Sequence, residues 1–156
     1  MRFDLSFHLA GVQDFPLHIG GSWSESQGQD KLEVLRPATA ERIATVPDAS
    51  AEDVDQACSA AAAAFPAWAA TDTDQRARLL RALADIIRAN MNGLAELESA
   101  VTGRPIREMR AQMSRIPEWL EYFAGIILGL EGESNRVRGG FLTYTHYRPM
   151  GVCALL

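Results

Sequence analysis

Alternating apolar and polar positions predict a small β-sheet near the start of the chain. Apolar and β-branched residues recur at every second position in 17–23, 31–35 and 41–47. A Gly-Gly pair and Pro37 interrupt these runs as turn residues do. We therefore expect a hairpin-type sheet over residues 17–46.

A helical spacing of apolar residues begins after Ser50. The Ser50 hydroxyl is placed to accept from the backbone N–H near Asp53, and Glu52 and Asp53 suit the positive end of a helix dipole. Pro66 predicts the end of this helix, because a proline lacks the backbone donor. One face is apolar: Val54, Cys58, Ala61 and Phe65.

Two further helices are predicted before Gly103, which can take the left-handed conformation past a helix end. Asn90 and Asn92 predict a break or bend between the two, so the second covers about 94–102. The first opens at 71–74 and carries an apolar stripe: Ala77, Leu80, Leu83, Ala84 and Ile87.

A fourth helix is expected to begin near Ile106 and to be interrupted or restarted at Pro117. Its second half is rich in large apolar residues, which we expect to be well buried: Trp119, Leu120, Tyr122, Phe123, Ile126 and Ile127.

The end of the sequence returns to strand patterns. A polar loop over 132–140 precedes an alternating run at 141–148. The unbroken apolar run 151–156 is typical of a strand buried on both faces of a parallel sheet. Its parallel neighbour would need a long crossover. We expect either a partner outside the chain or a chain that is the front part of a larger protein.

Composition and charge exclude several classes. The formal net charge is −5 with 15 basic residues in 156, and the arginines are scattered, so we expect no nucleic-acid partner. No apolar stretch reaches the length of a membrane span, and we expect no membrane partner. Two cysteines without metal-ligand spacing fit a reducing compartment, and a cytoplasmic location is expected.

Candidate chemistry is sparse. Cys58 lies on an apolar helix face and Cys153 in the terminal run, and the three histidines have no partner at a catalytic or ligand spacing. The glycines near 125–140 do not follow a strand and open a helix, as a dinucleotide-binding turn requires. We predict no catalytic, no cofactor-binding and no metal-binding residue.

The linear order of short motifs is the strongest signal in the sequence. The motifs lie at residues 19–23 (IGGSW), 36–40 (RPATA), 43–54 (IATVPDASAEDV), 62–68 (AAAFPAW), 76–80 (RARLL), 98–105 (ESAVTGRP), 122–125 (YFAG) and 141–152 (FLTYTHYRPMGV). In this order they closely resemble the N-terminal region of the NAD(P)-dependent aldehyde dehydrogenase superfamily. The resemblance covers the chain from about Leu17 onwards.

The resemblance implies an α/β fold, the N-terminal part of an aldehyde dehydrogenase-like nucleotide-binding domain. It implies a small hairpin sheet, about four helices, a bridging strand and the first strand of a Rossmann-like sheet. The predicted divisions are an N-terminal arm (1–16), the hairpin and helical part (17–140), a bridging and oligomerisation strand (141–149), and the first strand of a truncated nucleotide-binding sheet (150–156).

For function, the resemblance implies oxidation of an aldehyde to a carboxylic acid with NAD or NADP. The family's cofactor turn, glutamate base and nucleophilic cysteine all lie beyond residue 156. We therefore expect an N-terminal fragment that is inactive alone and binds no cofactor tightly, with a homo-oligomer formed through 141–149. The alternative is a short non-catalytic partner that pairs with a full-length subunit.

Several single positions depart from the family pattern. Arg36 and Ala40 replace the usual asparagine and glycine of the first motif, and Arg104 replaces a lysine. Val101 stands where many relatives carry an acid that helps bind a monovalent cation, so no cation site is predicted there. Four residues are candidates to line the substrate entrance, with core packing as the alternative role: Met113, Ile116, Trp119 and Leu120.

Overall fold

A computed structural model describes residues 12–155. The strands are β1 (Gln13–Asp14), β2 (Leu17–Ile19), β3 (Ser22–Ser24), β4 (Lys31–Leu35), β5 (Arg42–Pro47), β6 (Ser134–Arg136) and β7 (Leu142–Tyr144). The helices are α1 (Ala51–Ala70), α2 (Thr73–Thr102) and α3 (Ile106–Ile126), with a 3-10 turn at Ile127–Gly129.

The predicted strands before residue 50 are present, but they form two ladders instead of one. β5 lies at the centre of a three-stranded sheet, antiparallel to β4 and parallel to β1. β2 and β3 form a separate antiparallel hairpin. The buried residues Ala44 and Thr45 place the core of the sheet on β5.

α1 begins as predicted and ends later than predicted. The Ser50 hydroxyl accepts from the Asp53 N–H, and the Asp53 carboxylate accepts from the Ser50 N–H. The helix continues through Pro66 to Ala70, so the predicted end at Pro66 is wrong. Pro66 and Ala62 are both exposed, and water can therefore hydrate the Ala62 carbonyl that Pro66 leaves without a donor.

α2 is one continuous helix, and the predicted break at Asn90 and Asn92 is wrong. The Asn90 side chain donates to the Ile86 carbonyl at 2.7 Å, a local bond that leaves the helical path intact. The predicted end is confirmed, since Gly103 has φ 75°. The described residues thus hold three α-helices, where about four were expected.

The main core lies between α2 and α3. Small buried residues on α2 allow close approach: Ala77, Ala84, Ala95 and Ala100. Met109, Pro117 and Ala124 are the buried residues of α3. Pro117 lies inside the continuous helix, so the predicted interruption there is wrong. Its ring is packed in the core, and this burial offsets the lost backbone bond.

The predicted burial of the large apolar residues of α3 is wrong. Trp119 and Phe123 are each 57% exposed, Tyr122 64% and Ile126 43%, while Leu120 and Ile127 are half-buried. α2 covers only the face of α3 that carries Pro117 and Ala124, and no other described element covers the opposite face. The predicted apolar face of α1 is also largely exposed, including Val54 and Cys58.

β6 and β7 form a two-stranded antiparallel hairpin. β7 covers only part of the alternating run predicted at 141–148, and the predicted polar loop supplies β6. Within 151–155 no strand is present, because no described strand lies beside this segment to form a ladder. Leu156 and most of the predicted N-terminal arm lie outside the described residues. The domain boundaries stay predictions.

Candidate functional site

The described cysteines and histidines do not form a nucleophilic pair. Cys58 and Cys153 are both exposed, and the Cys153 Sγ lies 3.8 Å from the Gly151 carbonyl oxygen. His18 packs edge-on against Trp23 with 4.8 Å between ring centroids. His8 lies outside the described residues. Among residues 12–155, no group of three or more His, Cys, Asp or Glu side chains could hold a metal ion.

Among residues 12–155, the carboxyl group with the largest pKa shift is that of Asp53, which is buried with a relative exposure of 2%. Its Oδ2 accepts from the Ser26 hydroxyl at 2.6 Å and from the Ser50 N–H at 3.0 Å, and its Oδ1 accepts from the Gln27 N–H at 3.1 Å. Chiefly the Ser26 hydrogen bond lowers the pKa of Asp53 to about 2, against the opposing effect of burial.

These contacts give Asp53 a structural role. Its hydrogen bonds to Ser26, Gln27 and Ser50 tie the loop before β4 to the start of α1. A carboxylate with a low pKa and both oxygens hydrogen-bonded is a poor proton acceptor, so a role as a catalytic base is disfavoured. The sequence pattern indicated the local cap but missed Ser26 and Gln27, because they lie 27 and 26 residues away along the chain.

The candidate entrance residues share one region of α3. Met113, Ile116 and Leu120 are half-buried, and Trp119 is mostly exposed. The structure therefore leaves these side chains partly accessible instead of closing them into a core. Their lining of a substrate entrance stays a prediction.

A groove lies between the β4–β5 turn and the corner that joins α2 to α3. Its volume is about 320 Å³. Charged, polar and small apolar side chains line it: Arg36, Ala38, Glu96, Ser99, Ala100, Gly103 and Ile106. Sequence reasoning noted Arg36 only as an altered turn residue, since nothing in the local pattern brings residue 36 beside residues 96–106.

Near this corner Arg104 is held by α3. Its Nη1 donates to Gln112 Oε1 at 3.0 Å, and its Nη2 lies 3.6 Å from Glu108 Oε2. Val101 is 41% exposed at the end of α2. Within the described residues, no helix has both the length and the apolar character needed to cross a membrane.

Comparisons with known proteins agree with this architecture. A sequence model of the aldehyde dehydrogenase family matches residues 23–156. A structure assigned as an aldehyde dehydrogenase from Burkholderia cenocepacia is 41% identical with a TM-score of 0.76, covering 83% of this chain and 27% of that one. PnpE in complex with nicotinamide adenine dinucleotide is 38% identical with a TM-score of 0.77, over 83% and 27% of the two chains.

Lactaldehyde dehydrogenase from Escherichia coli is 26% identical with a TM-score of 0.78, over 82% of this chain and 27% of its own. The chain thus spans little more than a quarter of the length of these relatives. The family match covers most of the chain, and the structural matches reproduce its helices and small sheets. The chain belongs to the aldehyde dehydrogenase family.

Proposed function

We propose that this chain forms the N-terminal segment of an oxidoreductase that oxidises an aldehyde to a carboxylic acid with NAD+ or NADP+. The family match over 23–156 is the observation that carries the proposal. The complex of PnpE with nicotinamide adenine dinucleotide supports a nicotinamide cofactor for the intact enzyme.

The chemistry of this reaction explains why the chain alone is proposed to be inactive. Aldehyde oxidation by a cysteine enzyme needs a thiolate, donors for the oxyanion, a hydride acceptor and a base for the deacylating water. Cys58 and Cys153 are exposed, and neither contacts a base among the described residues. No described residue is proposed to bind the cofactor.

Exposed apolar residues support the proposal that this segment works inside a larger assembly. Trp119, Tyr122 and Phe123 project from α3 with more than half of their surface accessible. Phe141 and Leu142 on the β6–β7 hairpin are each 72% exposed. Large apolar side chains exposed in groups of this kind mark contact areas. We propose that the remainder of the enzyme covers α3 and that strand 141–149 joins subunits of a homo-oligomer.

The location proposed for the enzyme is the cytoplasm. The two described cysteines are free and exposed, and exposed thiols persist in a reducing compartment.

Complementation in trans tests the proposed function. The chain is mixed with the Burkholderia relative from which the matching quarter has been deleted, and formation of NADH or NADPH is followed with several aldehydes. We expect no reaction with either piece alone and an aldehyde-dependent reaction with both. Turnover by the chain alone would contradict its proposed inactivity.

The exposed β6–β7 hairpin also fits a second function, that of a short non-catalytic partner of a full-length subunit. Its free strand edges offer backbone groups for pairing. Co-purification with intact dehydrogenase at a fixed stoichiometry would support this alternative. A monodisperse monomer beside the intact enzyme would count against it.

A further inference from the structure

The groove between the β4–β5 turn and the α2–α3 corner is built from two elements in direct contact. Pro37 in the turn packs against the end of α2, since a Cβ added at Gly103 would lie 3.0 Å from Pro37 Cβ. The turn is also fixed internally. The Arg36 N–H donates to Glu41 O at 2.8 Å, and Arg36 O accepts from the Ala40 N–H at 2.8 Å. These backbone hydrogen bonds therefore fix the position of residue 36 in the turn beside the groove.

The guanidinium of Arg36 has no hydrogen bond or ion pair with any described residue. Its Nε is buried without a partner. Arg76 makes a useful comparison, because its Nε is also buried and unpaired, yet its Nη2 donates to Trp68 O at 3.2 Å and Ala69 O at 3.0 Å. A buried donor without an acceptor is costly. The buried Nε itself cannot reach a ligand in the groove, but the Nη groups of Arg36 also have no acceptor among the described residues, and Arg36 lines the groove.

Other groups in the groove restrict which acceptor fits. Ser99 Oγ already donates to Arg104 O at 2.6 Å. Glu96 lies 3.9 Å from Arg110, an exposed pair that offsets only part of its charge. The remaining negative charge of Glu96 disfavours any anion beside Arg36, and it disfavours a doubly charged anion more than a singly charged one. The other walls are apolar or small: Ala38, Ala100, Gly103 and Ile106.

The start of α3 adds a second attraction for negative charge. α3 begins at Ile106, which lines the groove, and its first turn has no side-chain cap. A helix N-terminus carries partial positive charge and free backbone donors. A planar guanidinium pairs with a carboxylate or a phosphate through two parallel hydrogen bonds. The single charge of a carboxylate suits a groove that also contains Glu96.

We propose that this groove binds a small monocarboxylate with a short aliphatic body, and that Arg36 is its principal donor. The apolar walls contact the aliphatic part. The site is separate from any chemistry of aldehyde oxidation, and its test does not depend on the proposed function.

Nuclear magnetic resonance of the arginine Nε–H groups tests the proposal on the whole 156-residue chain. Propionate is titrated into labelled protein, and the Arg36 signal is identified by its loss in Arg36→Lys. We expect a saturable shift of the Arg36 signal while the Arg76 signal stays in place. Arg36→Lys should weaken propionate binding about tenfold, because a point charge replaces a two-pronged donor. Arg115→Lys, at an exposed position of α3, is the matched control and should bind as the original protein does.

Further arms identify the ligand chemistry. Sulfate and ethylammonium should bind more weakly than propionate, and tighter binding of either would overturn the carboxylate assignment. An Arg36 signal that propionate leaves unmoved, or equal shifts of all arginine signals, would overturn the site. Should Arg36→Lys disturb the fold, Glu96→Gln provides an independent test. Removing this negative charge should tighten propionate binding several-fold, and unchanged or weaker binding would contradict the proposal.

Discussion

Replacing Met109 by alanine removes the largest apolar side chain that is fully buried between α2 and α3. Met109 is 0% exposed, and the four buried residues of the partner helix α2 are all alanine. The change deletes Cγ, Sδ and Cε, worth about 2 kcal/mol at about 0.8 kcal/mol for each methylene-sized group. The short neighbouring side chains cannot reach into the space, so a cavity adds to the cost. We expect a total loss of about 3–4 kcal/mol in the free energy of unfolding.

Urea denaturation followed by far-ultraviolet circular dichroism measures this loss. Met113→Ala is the matched control, since Met113 lies four positions later on α3 and is only half-buried. Its replacement should cost about 1 kcal/mol, because less apolar surface returns to water and no closed cavity forms. Equal losses for the two variants would refute the packing of α3 against α2 described above.

Three further predictions concern the ends of the helices. The pKa of Asp53 is lowered from 3.8 to about 2, so its ionised form stabilises the fold above pH 3.8 and that contribution is lost as the pH falls from 3.8 through 2. The stability difference between the original protein and Asp53→Asn, measured by urea denaturation at a series of pH values, should narrow over that interval, and a constant difference would refute the assignment. Gly103→Ala should destabilise by about 1–2 kcal/mol in thermal unfolding, because φ is 75° and the new Cβ meets Pro37; an unchanged midpoint would argue against the left-handed end. Asp72→Ala removes the side-chain acceptor for the Gln75 N–H, 2.6 Å away, and should lower the free energy of unfolding by about 1 kcal/mol in chemical denaturation. An unchanged free energy of unfolding in this variant would argue against the cap.

Local sequence signals predicted the starts and stops of structure that depend on local chemistry. The capping pair Ser50 and Asp53 and the left-handed Gly103 are examples, since each acts within one helical turn. The same signals failed at Asn90 and Pro117. The Asn90 side chain bonds to Ile86 O without breaking the helix, and burial of the Pro117 ring in the core offsets the backbone bond that the proline lacks.

The spacing of apolar residues could not predict which side chains of α3 are buried. An apolar stripe indicates that a face needs covering, but it does not say whether the cover comes from the same segment. α2 covers Met109, Pro117 and Ala124, while Trp119 and Tyr122 remain exposed. The groove at Arg36 was missed for a related reason, because it depends on the approach of a turn to a helix corner about 60 residues later in the chain.

A covalent chimera tests the central claim most directly, because it removes the need for two pieces to assemble. Residues 23–156 replace the matching segment of the Burkholderia cenocepacia relative, and aldehyde-dependent formation of NADH or NADPH is measured beside the unaltered relative. If this chain is the N-terminal segment of an aldehyde-oxidising enzyme, the chimera will fold and reduce the cofactor only when an aldehyde is present. A folded chimera that shows no aldehyde-dependent reduction would contradict the account.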